Sequence, residues 1–183
     1  MNWVLELAKA EFGLGQIESF PDLAAQALDD GFDSPSLCTL AGLSLVPTDN
    51  EEIRSYLRLA LQELRIEWPS KEKSALILLH YFIDQIIDGS IEPHEGIHTI
   101  IWNIYHQMDW CESDNHYAGD SIHIERLYGL CDTYDDLSEA TVRWDKHKTN
   151  DELKMLIQQE IRAEAEVYKD KYLAQLDNQT DGK

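Results

Sequence analysis

Apolar residues recur along the chain every three or four positions, the spacing that places them on one face of an α-helix. One example follows Asp49, where Ile53, Leu57 and Leu61 are four residues apart. Glycines and prolines interrupt this pattern at positions where helices normally end or begin. No run alternates apolar and polar residues over enough positions to indicate a β-strand. The pattern therefore predicts an all-α fold, a single-domain bundle of about seven to nine helices.

Capping residues locate the predicted helices more closely. Ser19, Ser34 and Ser70 stand just before periodic apolar stretches, where a side-chain oxygen can cap a helix N-terminus. Asp49 precedes two glutamates in a capping-box pattern, and Gly89 stands where the most apolar helix ends. The spacing is compatible with helix-pair repeats, although no consensus repeat signature is present. The predicted helices cover residues 1–12, 19–30, 36–41, 51–64, 70–89, 92–108, 121–137 and 150–176.

Length and composition indicate a folded chain. Of the 183 residues, 43% are hydrophobic, and they include five tryptophans and eight tyrosines. These side chains are sufficient for a sizeable core, and they distinguish the chain from acidic disordered proteins, which are poor in aromatics. We predict one helical domain over residues 1–176 and a disordered polar tail over residues 177–183.

Cysteine content and hydropathy favour a cytoplasmic location. The three cysteines are odd in number and widely spaced, which predicts free thiols rather than a disulfide framework. The first residues lack the basic and apolar segments of a signal peptide. The longest strongly apolar run, Ala75 to Leu79, is far too short to span a membrane. The sequence therefore predicts a cytoplasmic protein without a membrane partner.

Charge narrows the classes of partner. Fifteen Lys and Arg against 35 Asp and Glu give a formal net charge of −20, which repels nucleic-acid backbones and anionic membranes. Residues 109–139 hold nine acids against Arg126 alone, and aromatic residues lie among them. Acids steer basic proteins and embedded aromatics supply binding energy, so this segment predicts a surface for a basic partner. The alternative interpretation is that the acids only keep the protein soluble. The predicted partner-binding residues are Asp109, Trp110, Glu112, Asp114, Tyr117, Asp120, Tyr128, Asp132, Tyr134, Asp135 and Asp136.

A second pattern concerns metal binding. Three histidines and a tryptophan are spaced four residues apart, near one stripe of a predicted helix: His94, His98, Trp102 and His106. His94 and His98 could hold a metal ion between them, and His94-Glu95-Gly96-Ile97-His98 matches the five-residue pattern of zinc hydrolases. However, Pro93 directly precedes the pattern, and no third ligand follows at a familiar offset. The prediction is therefore no metal, no cofactor and no enzymatic activity, with a zinc-dependent hydrolase as the alternative.

Other reactive or aromatic side chains near this pattern receive structural interpretations. Cys111 or His116 could complete a metal site by proximity in sequence. Cys111 and Cys131 are nevertheless interpreted as small buried hydrophobic residues, because no cluster of Lys or Arg is present to lower the pKa of either thiol. The aromatic residues Trp102, Tyr105, Trp110 and Trp144 are interpreted as core or interface aromatics rather than as parts of a cofactor site.

A resemblance to a known class of proteins comes from two segments. The segment from Asp88 to Trp102 contains an Asp-Gly pair, then Pro, an acidic residue and Gly, and then an apolar helix. In these features it resembles bacterial immunity proteins, which protect a cell from polymorphic toxins, including those of contact-dependent growth inhibition. The segment 20–43 is similar in its Leu-Ala and Gly/Pro punctuation, and together the two segments cover about 40 residues. The resemblance implies that Pro93 and Gly96 shape the fold and that His94 and His98 have no catalytic part.

These patterns together predict an acidic, non-enzymatic protein that binds a basic protein partner. The most specific form of this hypothesis is an immunity protein that neutralises a basic toxin. A nuclease is one example of such a toxin, because nucleases are basic in order to bind phosphates. An acidic inhibitor can occupy that same basic surface. The alternatives are the zinc-dependent hydrolase and a generic acidic helical scaffold.

Overall fold

The computed structural model describes residues 3–45, 48–139, 144–173 and 176, and within these ranges it contains nine α-helices and no strand. The all-α prediction and the predicted number of helices are confirmed. The predicted tail, residues 177–183, lies outside the described residues. The helices are α1 (Trp3–Glu11), α2 (Phe20–Asp29), α3 (Pro35–Gly42), α4 (Asn50–Leu64), α5 (Lys71–Asp88), α6 (Pro93–Thr99), α7 (Trp110–Ser113), α8 (Glu125–Glu139) and α9 (Asn150–Tyr168).

The chain divides into two compact units. Unit 1 extends from Met1 to Ser74, and unit 2 extends from Ala75 to Lys183. The predicted domain, residues 1–176, spans both units and stays a prediction. Across the described ranges, every helix is too short or too polar to cross a lipid bilayer.

Unit 1 is held together by apolar side chains on one face of each of its helices. Trp3 of α1 stacks against Phe20 of α2 with 6.4 Å between ring centroids. Helix α3 packs against both α2 and α4. Burial of this apolar surface is the main source of stability in unit 1. The buried core residues are Trp3, Leu7, Ile17, Phe20, Ala24, Ala27, Leu37, Leu40, Ile53, Leu57, Ala60 and Leu61.

Side-chain caps begin two helices of unit 1 where the sequence predicts them. The Ser34 hydroxyl accepts a hydrogen bond from a backbone N–H three residues later, at 3.1 Å. The Asp49 carboxylate does the same for α4, at 2.8 Å. Ser19 precedes α2 as predicted but does not cap it. Its hydroxyl instead donates to the carbonyl of Gln16 at 2.7 Å, because a 3₁₀ turn leads directly into the helix.

Unit 2 has its own core, in which α6 packs against both α8 and α9. Helix α6 also approaches α5 closely. A Cβ atom at Gly96 would lie 2.5 Å from Ile86 Cγ1, so a larger residue would displace Ile86. The largest buried side chains of this core include Leu78, Leu79, Ile83, Ile86, Ile97, Ile100, Ile104, Tyr105, Ile124, Leu127, Ile161 and Tyr168.

The predicted helix over residues 92–108 changes its winding along its length. Helix α6 ends at Thr99, a π-helical turn follows over Ile100–Ile104, and a 3₁₀ turn occupies Tyr105–Gln107. The apolar spacing that predicted one helix is satisfied by all three segments, since each of them buries isoleucine or tyrosine side chains.

The predicted helix over residues 121–137 begins later than expected. Gly119 and His123 have left-handed backbone φ angles of 88° and 61°, which a continuous α-helix does not contain. A 3₁₀ turn, Asp120–Ile122, lies between them, and α8 starts only after this loop.

Candidate functional site

A row of ring side chains runs along α6 and the turns that follow it. In a continuous α-helix, residues four apart drift around the axis by about 40° at each step. The π-helical turn Ile100–Ile104 has a wider winding and offsets this drift. The predicted stripe is therefore formed, and its tryptophan is 51% exposed. Ring centroids are 5.8, 6.0 and 4.9 Å apart for successive members of the row, which are His94, His98, Trp102 and His106.

Helix α8 lies beside this row and runs antiparallel to it. At one end, His94 stacks on Tyr134 with 4.0 Å between ring centroids. At the other end, the Tyr128 hydroxyl lies 3.3 Å from His106 Nε2. We refer to the row together with residues 128–136 of α8 as the α6–α8 face. Residues that are 22 to 41 positions apart in the sequence meet on this one surface.

Three side chains that can ligate a metal meet at the His94 end of the α6–α8 face. His94 Nε2 lies 2.8 Å from Asp135 Oδ1, and the Cys131 thiol donates a long hydrogen bond to Asp135 Oδ2 at 3.9 Å. One donor atom from each residue lies within 4.8 Å of the other two. Burial, reinforced by the Asp135 and Asp132 charges, raises the pKa of the Cys131 thiol to about 12. The thiol is thus protonated at neutral pH and is a poor nucleophile.

The five-residue zinc-hydrolase pattern is only half represented in this cluster. Its first histidine, His94, takes part, whereas His98 lies one turn further along and is exposed. The pattern's glutamate, Glu95, is also exposed. Cys111 and His116, which sequence proximity suggested as further ligands, do not join the cluster among the described residues. In the structure, the potential ligands beside His94 are therefore Cys131 and Asp135, and not the residues that the pattern requires.

The middle of α8 carries three aspartates in close sequence. Burial, followed by the charges of Asp135 and Asp136, raises the pKa of Asp132. In the described part of the chain, no Lys or Arg forms an ion pair with any of these three carboxylates. Asp132 and Asp136 are exposed, and Asp135 is half-buried. The three acids therefore repel one another and favour an approaching cation.

Two other predicted binding acids, Asp114 and Asp120, organise the loop before α8. Asp114 accepts hydrogen bonds from the Tyr105 hydroxyl and from the amides of Gly119 and Ser121. Burial opposes ionisation, but these hydrogen bonds outweigh it and lower the pKa of Asp114 to about 2. Asp120 accepts from three successive loop amides, the shortest at 2.8 Å. Both acids hold the loop in shape, in addition to any contact with a partner.

The remaining predicted binding residues lie in α7 and beside it, and α7 contacts the 3₁₀ turn Tyr105–Gln107 that ends the row of rings. Asp109 and Glu112 are exposed, Trp110 is half-buried, and Tyr117 is 73% exposed. Burial, followed by the charges of Asp132, Cys131 and Asp114, raises the pKa of the Tyr128 hydroxyl on α8. The acids of the loop and of α8 therefore act on a common side chain.

Sequence reasoning missed part of this arrangement. Cys131 is buried as predicted, with 1% exposure, but it is also a potential ligand next to Asp135. The signal was its position one helical turn before that acid. The prediction that Cys111 is buried is wrong, since α7 is a single turn that leaves the thiol exposed. Trp102 was interpreted as a core or interface aromatic, and its exposure favours an interface.

Comparisons with known proteins found no match to this chain. No protein-family model matches the chain, and neither the curated proteins nor the solved structures gave a match.

Proposed function

We propose that this chain binds a basic protein partner through the α6–α8 face and the adjoining loop. The observation that carries the proposal is the group of Asp132, Asp135 and Asp136, which have no Lys or Arg ion pair within the described ranges. Mutual repulsion raises the free energy of the unbound surface. A partner that places Lys or Arg beside these acids relieves that repulsion, and it gains both attraction and faster association.

Exposed aromatic side chains support the same surface. Trp102 lies within the α6–α8 face with half of its surface exposed, and Tyr117 projects from the loop. Aromatic residues supply much of the binding energy of protein interfaces, because they bury a large area with few rotatable bonds. The surface thus combines charges that steer a partner with rings that retain it.

The most specific form of the proposal is an immunity protein that neutralises a basic toxin. A toxin that cleaves nucleic acid needs a cationic surface, and an acidic inhibitor can cover that surface in place of phosphate. The resemblance of residues 20–43 and 88–102 to immunity proteins supports this form. Under this proposal the chain has no catalytic activity of its own.

The first experiment measures association with a purified candidate partner, starting with the product of the neighbouring gene. We expect the association rate to fall as salt rises, because screening shortens the range of exposed charges to about 8 Å at 0.15 M. Asp132→Lys with Asp136→Lys should lower the association rate by roughly tenfold or more. Glu160→Lys with Glu166→Lys on α9 is the matched control, since both residues are exposed and the net charge changes equally.

A second variant blocks the surface without altering its charge network. Gly129 lies in α8 next to Tyr128, and a Cβ atom there would meet nothing within 4 Å. Gly129→Trp should therefore leave the fold intact but obstruct the partner. Gly42→Trp in α3 is the control, because Gly42 also opens to free space. The proposed surface would be contradicted by an association rate that changes neither with salt nor in the aspartate and Gly129 variants.

A further inference from the structure

The cluster of His94, Cys131 and Asp135 offers three chemically different donors from two helices. An imidazole nitrogen comes from the first turn of α6, and a thiol and a carboxylate come from successive turns of α8. Their donor atoms lie within 4.8 Å of one another. Ligand atoms around a tetrahedral zinc ion are roughly 3.3–3.6 Å apart. The sulfur must therefore approach by about 1 Å at most, whereas His94 Nε2 and Asp135 Oδ1, now 2.8 Å apart, must separate slightly. Side-chain rotation alone can provide such movements.

The surroundings hold these donors in place. Stacking on Tyr134 fixes the plane of the His94 ring, and the hydrogen bond at 2.8 Å directs its Nε2 atom to Asp135. Cys131 is buried at the base of the cluster, whereas the Asp135 side chain is 43% exposed. An ion can therefore enter from the solvent side past the carboxylate and reach the sulfur.

We propose that His94, Cys131 and Asp135 bind a single zinc-type divalent cation that links α6 to α8. Thiolate and imidazole ligands select borderline-soft ions such as Zn²⁺, Co²⁺ or Cd²⁺ over Mg²⁺ and Ca²⁺, which prefer oxygen. On binding, a metal–sulfur bond replaces the thiol proton of Cys131, and this proton passes to solvent. His94 binds through Nε2 as a neutral imidazole. With three protein ligands, a fourth position is left for water.

This site differs from the one that the sequence pattern suggests. The pattern uses His94 and His98 with Glu95 as a base, whereas the proposed site uses Cys131 and Asp135 and needs neither of the other two residues. The metal-site proposal does not rest on the proposed partner binding, although Asp135 belongs to both the metal site and the binding surface. A bound dication would offset part of the repulsion among the α8 acids and stiffen the α6–α8 face.

The test is a titration of the untagged, metal-free full chain with Co²⁺. We expect one equivalent to bind, with a thiolate-to-cobalt charge-transfer band in the near ultraviolet and the visible absorption of a tetrahedral site. One equivalent of Zn²⁺ should displace the cobalt and abolish both signals. Zn²⁺ should also raise the melting temperature of the wild-type protein, because it binds the folded chain.

Variants decide which residues bind. Cys131→Ser should remove the charge-transfer band, and Asp135→Asn should weaken Co²⁺ binding by more than about tenfold while keeping that band at saturation. Cys111→Ser and Cys38→Ser are matched controls, because both thiols are exposed, and they should behave as wild type. If Cys131→Ser does not fold, the loss of affinity in Asp135→Asn carries the test alone.

His98→Ala separates the proposed site from the sequence pattern. In the proposed site this variant binds Co²⁺ with wild-type affinity and retains the charge-transfer band. Failure of the wild-type chain to bind Co²⁺, a band that survives Cys131→Ser, or loss of binding in His98→Ala would each overturn the proposal.

Discussion

Glu63 in unit 1 and Asp132 in unit 2 are both exposed acids, but their surroundings act on them in opposite directions. The Glu63 carboxylate accepts hydrogen bonds from the Ser36 amide at 3.0 Å and the Ser36 hydroxyl at 2.7 Å, and these contacts lower its pKa. Burial and neighbouring aspartates raise the pKa of Asp132. Glu63 connects α4 to α3 through its hydrogen bonds, whereas Asp132 is repelled by Asp135 and Asp136 on the surface of α8.

This contrast distinguishes two roles that composition alone cannot separate. An acid whose pKa is lowered by hydrogen bonds stabilises the fold in its ionised form. An acid whose pKa is raised by its neighbours costs stability at neutral pH, and proteins retain such costs mainly where function requires them. Unit 2 contains both kinds, since Asp114 belongs with Glu63 in this respect. Variants that remove single charges distinguish the two kinds of acid.

The largest effect is expected for Asp114→Ala. Removal of the carboxylate leaves the Ser121 amide without its acceptor and weakens the anchoring of the loop to Tyr105. We expect unfolding to become easier by about 2 kcal/mol, the usual cost of lost hydrogen bonds to a charged group. Chemical denaturation measures this change, and hydrogen exchange at the Gly119 amide localises it. A variant as stable as wild type would show that Asp114 does not stabilise the fold.

The Asp114 contribution should also depend on pH. The folded pKa of about 2 lies below the usual value near 3.9 for an unfolded aspartate. The ionised form is therefore favoured by folding, and its stabilisation is complete above about pH 4 and lost as the pH falls towards about 2. Asp114→Asn should show a smaller loss of stability across this range than wild type.

A smaller loss is expected for Glu63→Ala in unit 1. The variant removes the acceptor for the amide and the hydroxyl of Ser36, but water can replace it at this exposed position. The melting temperature should fall by less than in Asp114→Ala. Glu67→Ala is the control, because Glu67 is also exposed and lies beyond the end of α4. Equal melting temperatures for the two variants would show that the Ser36 contacts do not stabilise unit 1.

The smallest effect, and the only gain, is expected for Asp132→Asn. Removal of one charge relieves repulsion with Asp135 and Asp136 and should stabilise the fold by at most about 0.5 kcal/mol, since solvent screens exposed charges. Glu160→Gln on α9 removes the same charge elsewhere in unit 2. Denaturation of both variants at low salt provides the measurement. Destabilisation by Asp132→Asn would show that the ionised Asp132 stabilises the fold, and it would contradict the repulsion on which the proposed binding surface is based.

Local signals in the sequence predicted much of the fold. The caps at Ser34 and Asp49 depend on contacts within one helical turn, and the sequence predicts both correctly. The late start of α8 was not predictable in the same way. It depends on the left-handed backbone of Gly119 and on a non-glycine residue, His123, in the same conformation, and sequence patterns disfavour the latter.

The candidate site was less predictable, because its contacts are distant in sequence. His94 and Asp135 are 41 residues apart, and only the antiparallel packing of α6 and α8 brings them together. In the acidic segment, composition gave Asp114 and Asp132 equal weight. The structure separates them, since the partners of Asp114 are loop amides whose positions depend on the backbone rather than on residue type.

The π-helical turn at Ile100–Ile104 lets the α6–α8 face accept a change in chain length at one place. Relative to an α-helix, a π turn holds one additional residue in each hydrogen-bonded loop. The π turn therefore covers about the same rotation as an α-helical segment that is one residue shorter. Deletion of Asn103 would allow an ordinary helix to form, and His106 would stay beside Tyr128 while His94 kept its partners. In evolutionary terms, this surface tolerates the loss of one residue inside the turn, whereas a loss within α6 would rotate the row by about 100°.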